Sequence, residues 1–172
     1  MADPDFVRSL GLSFLAHRLR RASDSILEGT TDMLRREGFE IPARAGSTLM
    51  LLRDQGPTGI TEIAYRLRLS HPLIIKLAAA LAAAGLVRDE DDPRDHRRRL
   101  IALTDKGLAE AARFEAFLGA IAATFETMFA EAGADLLAAL ERFEQAAEVR
   151  PIAERLAEAI EQRANLVREG LS

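Results

Sequence analysis

Residues 85–107 read GLVRDEDDPRDHRRRLIALTDKG, and the change of hydrophobic period inside them decides the fold. Ile101 and Leu103 alternate with Leu100 and Ala102, a spacing of two that belongs to a strand. Asp92-Pro93 upstream is a turn signal, so 86–103 is expected to form two antiparallel strands around a charged loop. Thr104 then closes the second strand and caps the helix that follows.

Everything around this hairpin reads as helix. From Leu12 the apolar positions Leu12, Leu15, Leu19, Ala22 and Ile26 step by three and four, continue to Met33 and Leu34, and end near Gly38. Pro42 opens a second helix, ARAGSTLMLLRDQ, which stops at Gly56-Pro57. A third, short helix starts near Thr58 or Gly59, either of which can cap it, with Ile60, Ile63, Ala64 and Leu67 on one face. Ser70 is a good N-cap for a fourth, HPLIIKLAAALAAA, with His71 and Pro72 in its first turn, where a missing N–H costs little. That helix is expected to bury Ile74, Leu77, Ala78 and Leu81 and to end at Gly85 in the left-handed conformation.

Downstream, a long fifth helix carries Leu118, Ile121, Phe125, Met128 and Phe129 and breaks at Gly133-Ala134-Asp135. A sixth begins near Leu136 with Leu140, Phe143 and Ala147 inward. Pro151 interrupts it, and Ile152, Leu156, Ile160 and Val167 carry a helical stripe onward. The expected fold is mainly α (α+β): two short helices joined by a tight turn and followed by a charged hairpin, the winged helix-turn-helix order. The expected organisation is 1–38 and 108–172 as the two parts of a helical dimerisation domain, with 39–107 as the DNA-binding winged helix-turn-helix between them.

Composition narrows the function classes. Apolar residues make up 48% of the 172, but aromatics only 5%, which favours close-packed helices over a sandwich of large inward side chains. The chain has no cysteine, which excludes disulfides, thiolate metal sites and cysteine nucleophiles. No apolar run approaches the roughly 18 residues of a membrane span, and the N-terminus MADPDFVRSLG lacks the layout of a signal peptide, so a cytoplasmic location and no membrane partner are expected. Net charge is −4, yet residues 1–57, 58–107 and 108–172 carry 0, +2 and −6. The acid sits at the C-terminal end and the middle is mildly positive, so the global balance does not exclude a polyanion as partner.

The segment GLVRDEDDPRDHRRRLIALTDKG resembles the wing of the MarR (multiple antibiotic resistance regulator) family: Gly-Leu-Val, a spacer, Asp-Pro-x-Asp-x-Arg, then an apolar strand ending Leu-Thr-x-x-Gly. The matching positions are Gly85, Leu86, Val87, Asp92, Pro93, Asp95, Arg97, Leu103, Thr104 and Gly107. Upstream, TEIAYRLRLSHPLIIKL resembles the family's helix-turn-helix, and the long flanking helices resemble its dimerisation domain. The stretch after Pro151 extends beyond the usual family length. The resemblance implies a homodimeric bacterial transcription regulator, a repressor that binds a palindromic double-stranded DNA operator and leaves it when a small phenolic or other aromatic effector binds between the domains.

Candidate DNA-contacting residues follow from motif and placement. Ser70, His71, Pro72, Ile75 and Lys76 lie in the N-terminal turns of the fourth helix, the part that reaches base edges; Ile75 offers only apolar contact, suited to a thymine methyl. Ser70 has the plainer role of cap. Arg94, at the hairpin tip, is the candidate for the minor groove, and Arg97 and Arg99 for phosphates, since alternation turns Arg98 to the opposite face. The resemblance gives Asp95 the role of holding the wing by pairing with Arg97, against the plainer reading of an exposed ion pair worth under about 1 kcal/mol. Arg66 and Arg68 are either backbone contacts or a solvated face.

Two departures from the family pattern stand out: Asp89 where an arginine is usual, and the alanine-rich AAALAAA in the second half of the fourth helix. Both predict few phosphate contacts and a shallow salt dependence. They also motivate a rival reading, a protein-interaction module that keeps the fold without operator affinity. An enzyme is not expected: there is no Gly-rich phosphate loop and no Ser/His/Asp arrangement, and no cofactor is implied. His17, His71 and His96 lack metal-ligand spacing, so no metal is expected, and Asp24 and Glu28 read as solvated surface. His17 and Arg21 share a face of the first helix and are the residues available to a ligand pocket; solvent or inter-subunit packing explains them equally well.

Overall fold

The computed structural model describes residues 5–93 and 95–169, the side chains at 95–98 and 169 lying outside the description. The chain divides into two compact units, Met1–Gly119 and Ala120–Ser172. In the first, a short α1 (Phe6–Ser9) and a 3-10 turn (Gly11–Phe14) precede α2 (Leu15–Arg36), so the expected first helix is broken near its start. α3 (Gly46–Gln55), α4 (Ile60–Leu67) and α5 (His71–Ala83) follow, then β1 (Val87–Asp92), β2 (Asp95–Leu103) and α6 (Asp105–Ala132), which runs on into the second unit. Pro42 stands at the N-cap of a 3-10 turn, Ala43–Ala45, that leads into α3, one step before the helical position expected of it.

The first unit has one core. Leu49 and Leu52 of α3, Ile63 of α4, Ile74 and Leu81 of α5 and Leu86 ahead of β1 are all essentially inaccessible to solvent. They come from every element of the helix-turn-helix, so the small helices have no stability apart from one another. α6 seals one side by laying Phe114 against Gly46, where a Cβ would come within 2.8 Å of the ring. Phe39 and Phe117 pack around the same ring.

Two polar devices lock α6 to this core. Glu110, buried, accepts from the backbone N–H groups of Glu40 (2.6 Å) and Ile41 (3.3 Å) in the turn after α2. Its other oxygen pairs with Arg113 at 3.0 Å, and the Arg113 guanidinium lies 4.4 Å from the Phe39 ring centre while donating to the Glu37 carbonyl. The second device is the start of α6. The Thr104 hydroxyl accepts from the Gly107 N–H at 3.0 Å, the expected cap, and donates to the Gly85 carbonyl at 2.7 Å. The Thr104 N–H donates to the Leu86 carbonyl at 3.0 Å, and a Cβ on Gly107 would sit 1.9 Å from that same oxygen.

The hairpin pairs in the expected antiparallel sense, with Val87 opposite Leu103, Asp89 opposite Ile101 and Asp91 opposite Arg99, and an irregularity between Asp91 and Asp92. Of the two residues able to cap α4, Gly59 takes the position and Thr58 has another role. Thr58 forms an antiparallel bridge to Ile101 through hydrogen bonds of 3.0 and 2.9 Å. Its backbone satisfies the outer edge of β2, a demand that local sequence around 58 does not reveal.

In the second unit α6 ends at Ala132, and Asp135 caps α7 (Leu136–Val149) by accepting from the Ala138 N–H at 2.9 Å. Pro151 separates α7 from α8 (Ile152–Glu169), as its lost donor requires. An Arg150–Glu158 ion pair and an Arg155 bond to the Arg150 carbonyl brace the joint. Leu137, Val149, Leu156 and Ile160 are exposed, and among the described residues of α7 and α8 none is buried.

Two substitutions test this packing by denaturant unfolding. Gly107→Ala is expected to destabilise by about 3 kcal/mol, because backbone stands where the methyl would go; an unchanged midpoint would contradict that contact. Thr48, fully buried on α3, has a hydroxyl with no hydrogen-bond partner. Thr48→Val should therefore stabilise by about 1 kcal/mol, and a loss of stability would show that the hydroxyl is satisfied after all.

Candidate nucleic-acid interface

The tight turn between α4 and α5 sets the angle of the second helix. Arg68 takes a left-handed conformation (φ 52°), the only non-glycine among the described residues with positive φ, and Leu69 N–H reaches back to the Ala64 carbonyl at 3.0 Å. Ser70 occupies the N-cap position with extended backbone, but its side chain makes no capping hydrogen bond, which corrects the plain cap role expected of it. The reason is local. A cap hydroxyl accepts from the second or third N–H of the helix; Pro72 has none, and Leu73 N–H donates to the Ser70 carbonyl at 3.0 Å instead.

Burial on α5 is one-sided. Ile74, Leu77, Ala78 and Leu81 face the core as expected, while Ser70, His71, Pro72, Ile75, Lys76 and Ala79 are exposed. His71 and Ile75, and Pro72 and Lys76, are each one turn apart, so the sequence-derived contact residues share the outward face. Gly85, at φ +71°, ends the helix with Leu86 N–H bonded to the Leu81 carbonyl at 2.9 Å, which delivers the chain straight into β1.

On the wing, Arg99 Nη1 lies 2.6 Å from Asp91 on the opposite strand. Arg88 bonds the Leu103 carbonyl at 2.6 Å and Glu90 at 2.8 Å. Asp92 is nearly buried. The acids that crowd the hairpin are therefore largely engaged within it. Arg99 and Asp89, together with Ile101, line one side of a groove of about 320 Å³ whose other side is Ile75, Ala79 and Ala82 of α5. The structure thus brings Ile75 and Arg99 to one groove. Arg94 and the side chains of Asp95 and Arg97 lie outside the described residues.

Tyr65, on α4, was not singled out by the sequence and is 80% exposed. The signal was available: it lies opposite Ile63 on the helical wheel. Arg66 on the same helix is held by Glu62 at 2.5 Å. The weaker ligand candidates, His17 and Arg21, lie one turn apart on α2. Arg21 Nη1 donates to Asp5 at 2.8 Å, and this guanidinium bond holds the Asp5 carboxyl below its ordinary pKa. Neither Arg21 nor His17 lines the polar groove of about 510 Å³ along α2, which is bordered by Asp24, Glu28, Asp32, Arg35 and Arg44. Among the described residues no group of His, Asp or Glu is placed to hold a metal ion, and no helix is long and apolar enough to cross a membrane.

Residues 41–98, which span α3 to the middle of β2, match the sequence model of the MarR family. Over these residues the chain is similar to that family's winged helix-turn-helix. Solved structures agree in fold. MepR of S. aureus in complex with DNA is 22% identical with a TM-score of 0.64, covering 77% of this chain and 97% of its own. PcaV from Streptomyces coelicolor with its natural ligand is 24% identical with a TM-score of 0.61, covering 89% and 99%. BpsR of Bordetella bronchiseptica, whose DNA binding is regulated by 6-hydroxynicotinic acid, is 21% identical with a TM-score of 0.59, covering 77% and 98%. A search of curated sequences finds no match.

The Asp91–Arg99 pair makes a directional prediction for the wing. Asp91→Asn leaves Arg99 uncompensated and is expected to tighten DNA binding and steepen log K against log salt by about 0.9, the contribution of one added phosphate contact. An unchanged slope would remove Arg99 from the interface.

Proposed function

We propose that the protein is a homodimeric repressor that holds a palindromic double-stranded operator, with the outward face of α5 in the major groove and the wing along the neighbouring minor groove. The observation that carries this reading is the shared groove. Ile75 on α5 and Arg99 on the wing face it together, so one duplex meets helix and hairpin at once. In this reading Ser70, His71, Pro72, Ile75 and Lys76 meet the bases and adjoining backbone. Arg94 enters the minor groove, Arg97 and Arg99 meet phosphates, and Asp95 positions the wing.

Residues 1–38 and 108–172 form the dimerisation domain in this reading. Its support is the apolar surface each unit leaves open by itself: Leu15, Leu19, Ile26 and Met33 along α2 in the first, and Leu137, Leu156, Ile160 and Val167 in the second. A twofold pair covers such surface and sets two recognition helices about 10 base pairs apart. Release by a small aromatic effector is supported by the ligand complex of PcaV and the 6-hydroxynicotinic acid response of BpsR, which share the fold.

Selection of duplexes from a random pool, followed by salt titration, tests the reading. A twofold-symmetric consensus bound by a dimer is expected. Enrichment of no sequence even at low salt would favour the rival, an interaction module. Lys76→Ala, exposed and free of core contacts, should weaken binding to the selected site about tenfold, with the fold unchanged by circular dichroism. Equal affinity of wild type and variant would take Lys76 out of the interface.

A further inference from the structure

The exposed face of α5 is short of the groups that read bases by hydrogen bonding. The helix is HPLIIKLAAALAA and contains no arginine, asparagine or glutamine. Paired hydrogen bonds to guanine come from arginine or lysine, and those to adenine from asparagine or glutamine. Lys76, past the first turn, and Ser70 and His71 at the helix start are the groups that can donate to a base edge. Beside Lys76, Ile75 leaves its apolar side chain half exposed to water on the outward face of the helix. The groove next to Ile75 is lined on the helix side by Ala78, Ala79 and Ala82 and on the wing by Val87 and Ile101 beside the charged Asp89 and Arg99, so the surface around Ile75 itself is apolar.

The major groove offers one apolar group, the C5 methyl of thymine. We infer that Ile75 is a specificity residue that selects operators presenting a thymine methyl to it in each half-site. This rests on the operator-binding reading above and names what that reading leaves open, the chemical feature of the sequence that is recognised. The selectivity is steric and hydrophobic: cytosine at the same place presents a polar N4 donor to the isoleucine and strands it without a partner.

The test uses the full chain and the duplex obtained by selection. Each conserved thymine is replaced in turn by deoxyuridine, which deletes the methyl and leaves every hydrogen-bonding group in place. At one position per half-site the exchange should weaken binding about fourfold, the equilibrium equivalent of one buried methyl group, and about sixteenfold when made in both half-sites, since separated positions add. Ile75→Ala, at an exposed site, should bind the thymine and deoxyuridine duplexes equally. Insensitivity of the wild type to every deoxyuridine exchange, or a thymine preference that survives Ile75→Ala, would overturn the inference while leaving operator binding intact. Failure of the selection to yield any site would instead defeat the operator-binding reading itself, and this inference with it.

Discussion

Where the Leu86 carbonyl meets Gly107, three elements are joined through one peptide group. The oxygen accepts from Thr104 N–H and leaves no room for a side chain on Gly107, while the Thr104 hydroxyl holds Gly85, the residue that ends α5. The end of the recognition helix, both ends of the hairpin and the start of α6 are thereby fixed to one another within a few ångströms. The orientation of α5 against the wing, on which any simultaneous grip on a duplex depends, is set here and by the common core of Ile74, Leu81 and Leu86. The Glu110 clamp carries the same constraint to the turn after α2. α6 is thus tied by polar contacts to the end of α5 at Gly85 and to the turn after α2 at Glu40 and Ile41.

The wing shows why net charge is a poor guide to such a surface. Most of its acids are spent inside the hairpin: Asp91 on Arg99 and Glu90 on Arg88, with Asp92 withdrawn from solvent. The pairs are exposed and so contribute little to stability. Their effect is on the local charge: each carboxylate offsets the arginine it holds. A binding surface built this way depends less on counterion release and more on fit.

Much of this was legible in the sequence because it is written in local periods. The shift from a helical stripe to alternation at Leu100–Leu103, the turn at Asp92-Pro93 and the break at Pro151 each follow from one or two residues. The inward face of α5 also followed from spacing alone, and its outward face by subtraction. What escaped notice depends on partners distant in sequence. Thr58 bonds across to Ile101, Glu110 reaches back to residues 40 and 41, and Gly107 is required by a carbonyl 21 positions earlier, although its presence in the Leu-Thr-x-x-Gly motif was noted. Ser70 is the instructive mixed case. Its position as N-cap was correct, but the proline two residues later removed the donor its hydroxyl needed.

The central claim is that helix and hairpin hold one duplex together, twice, through a twofold pair. Hydroxyl-radical footprinting on a selected duplex tests it most directly. The account predicts protected backbone in two patches whose centres are about 10 base pairs apart, each flanked by protection across the adjacent minor groove. A single isolated patch, or protection without the minor-groove flanks, would contradict it.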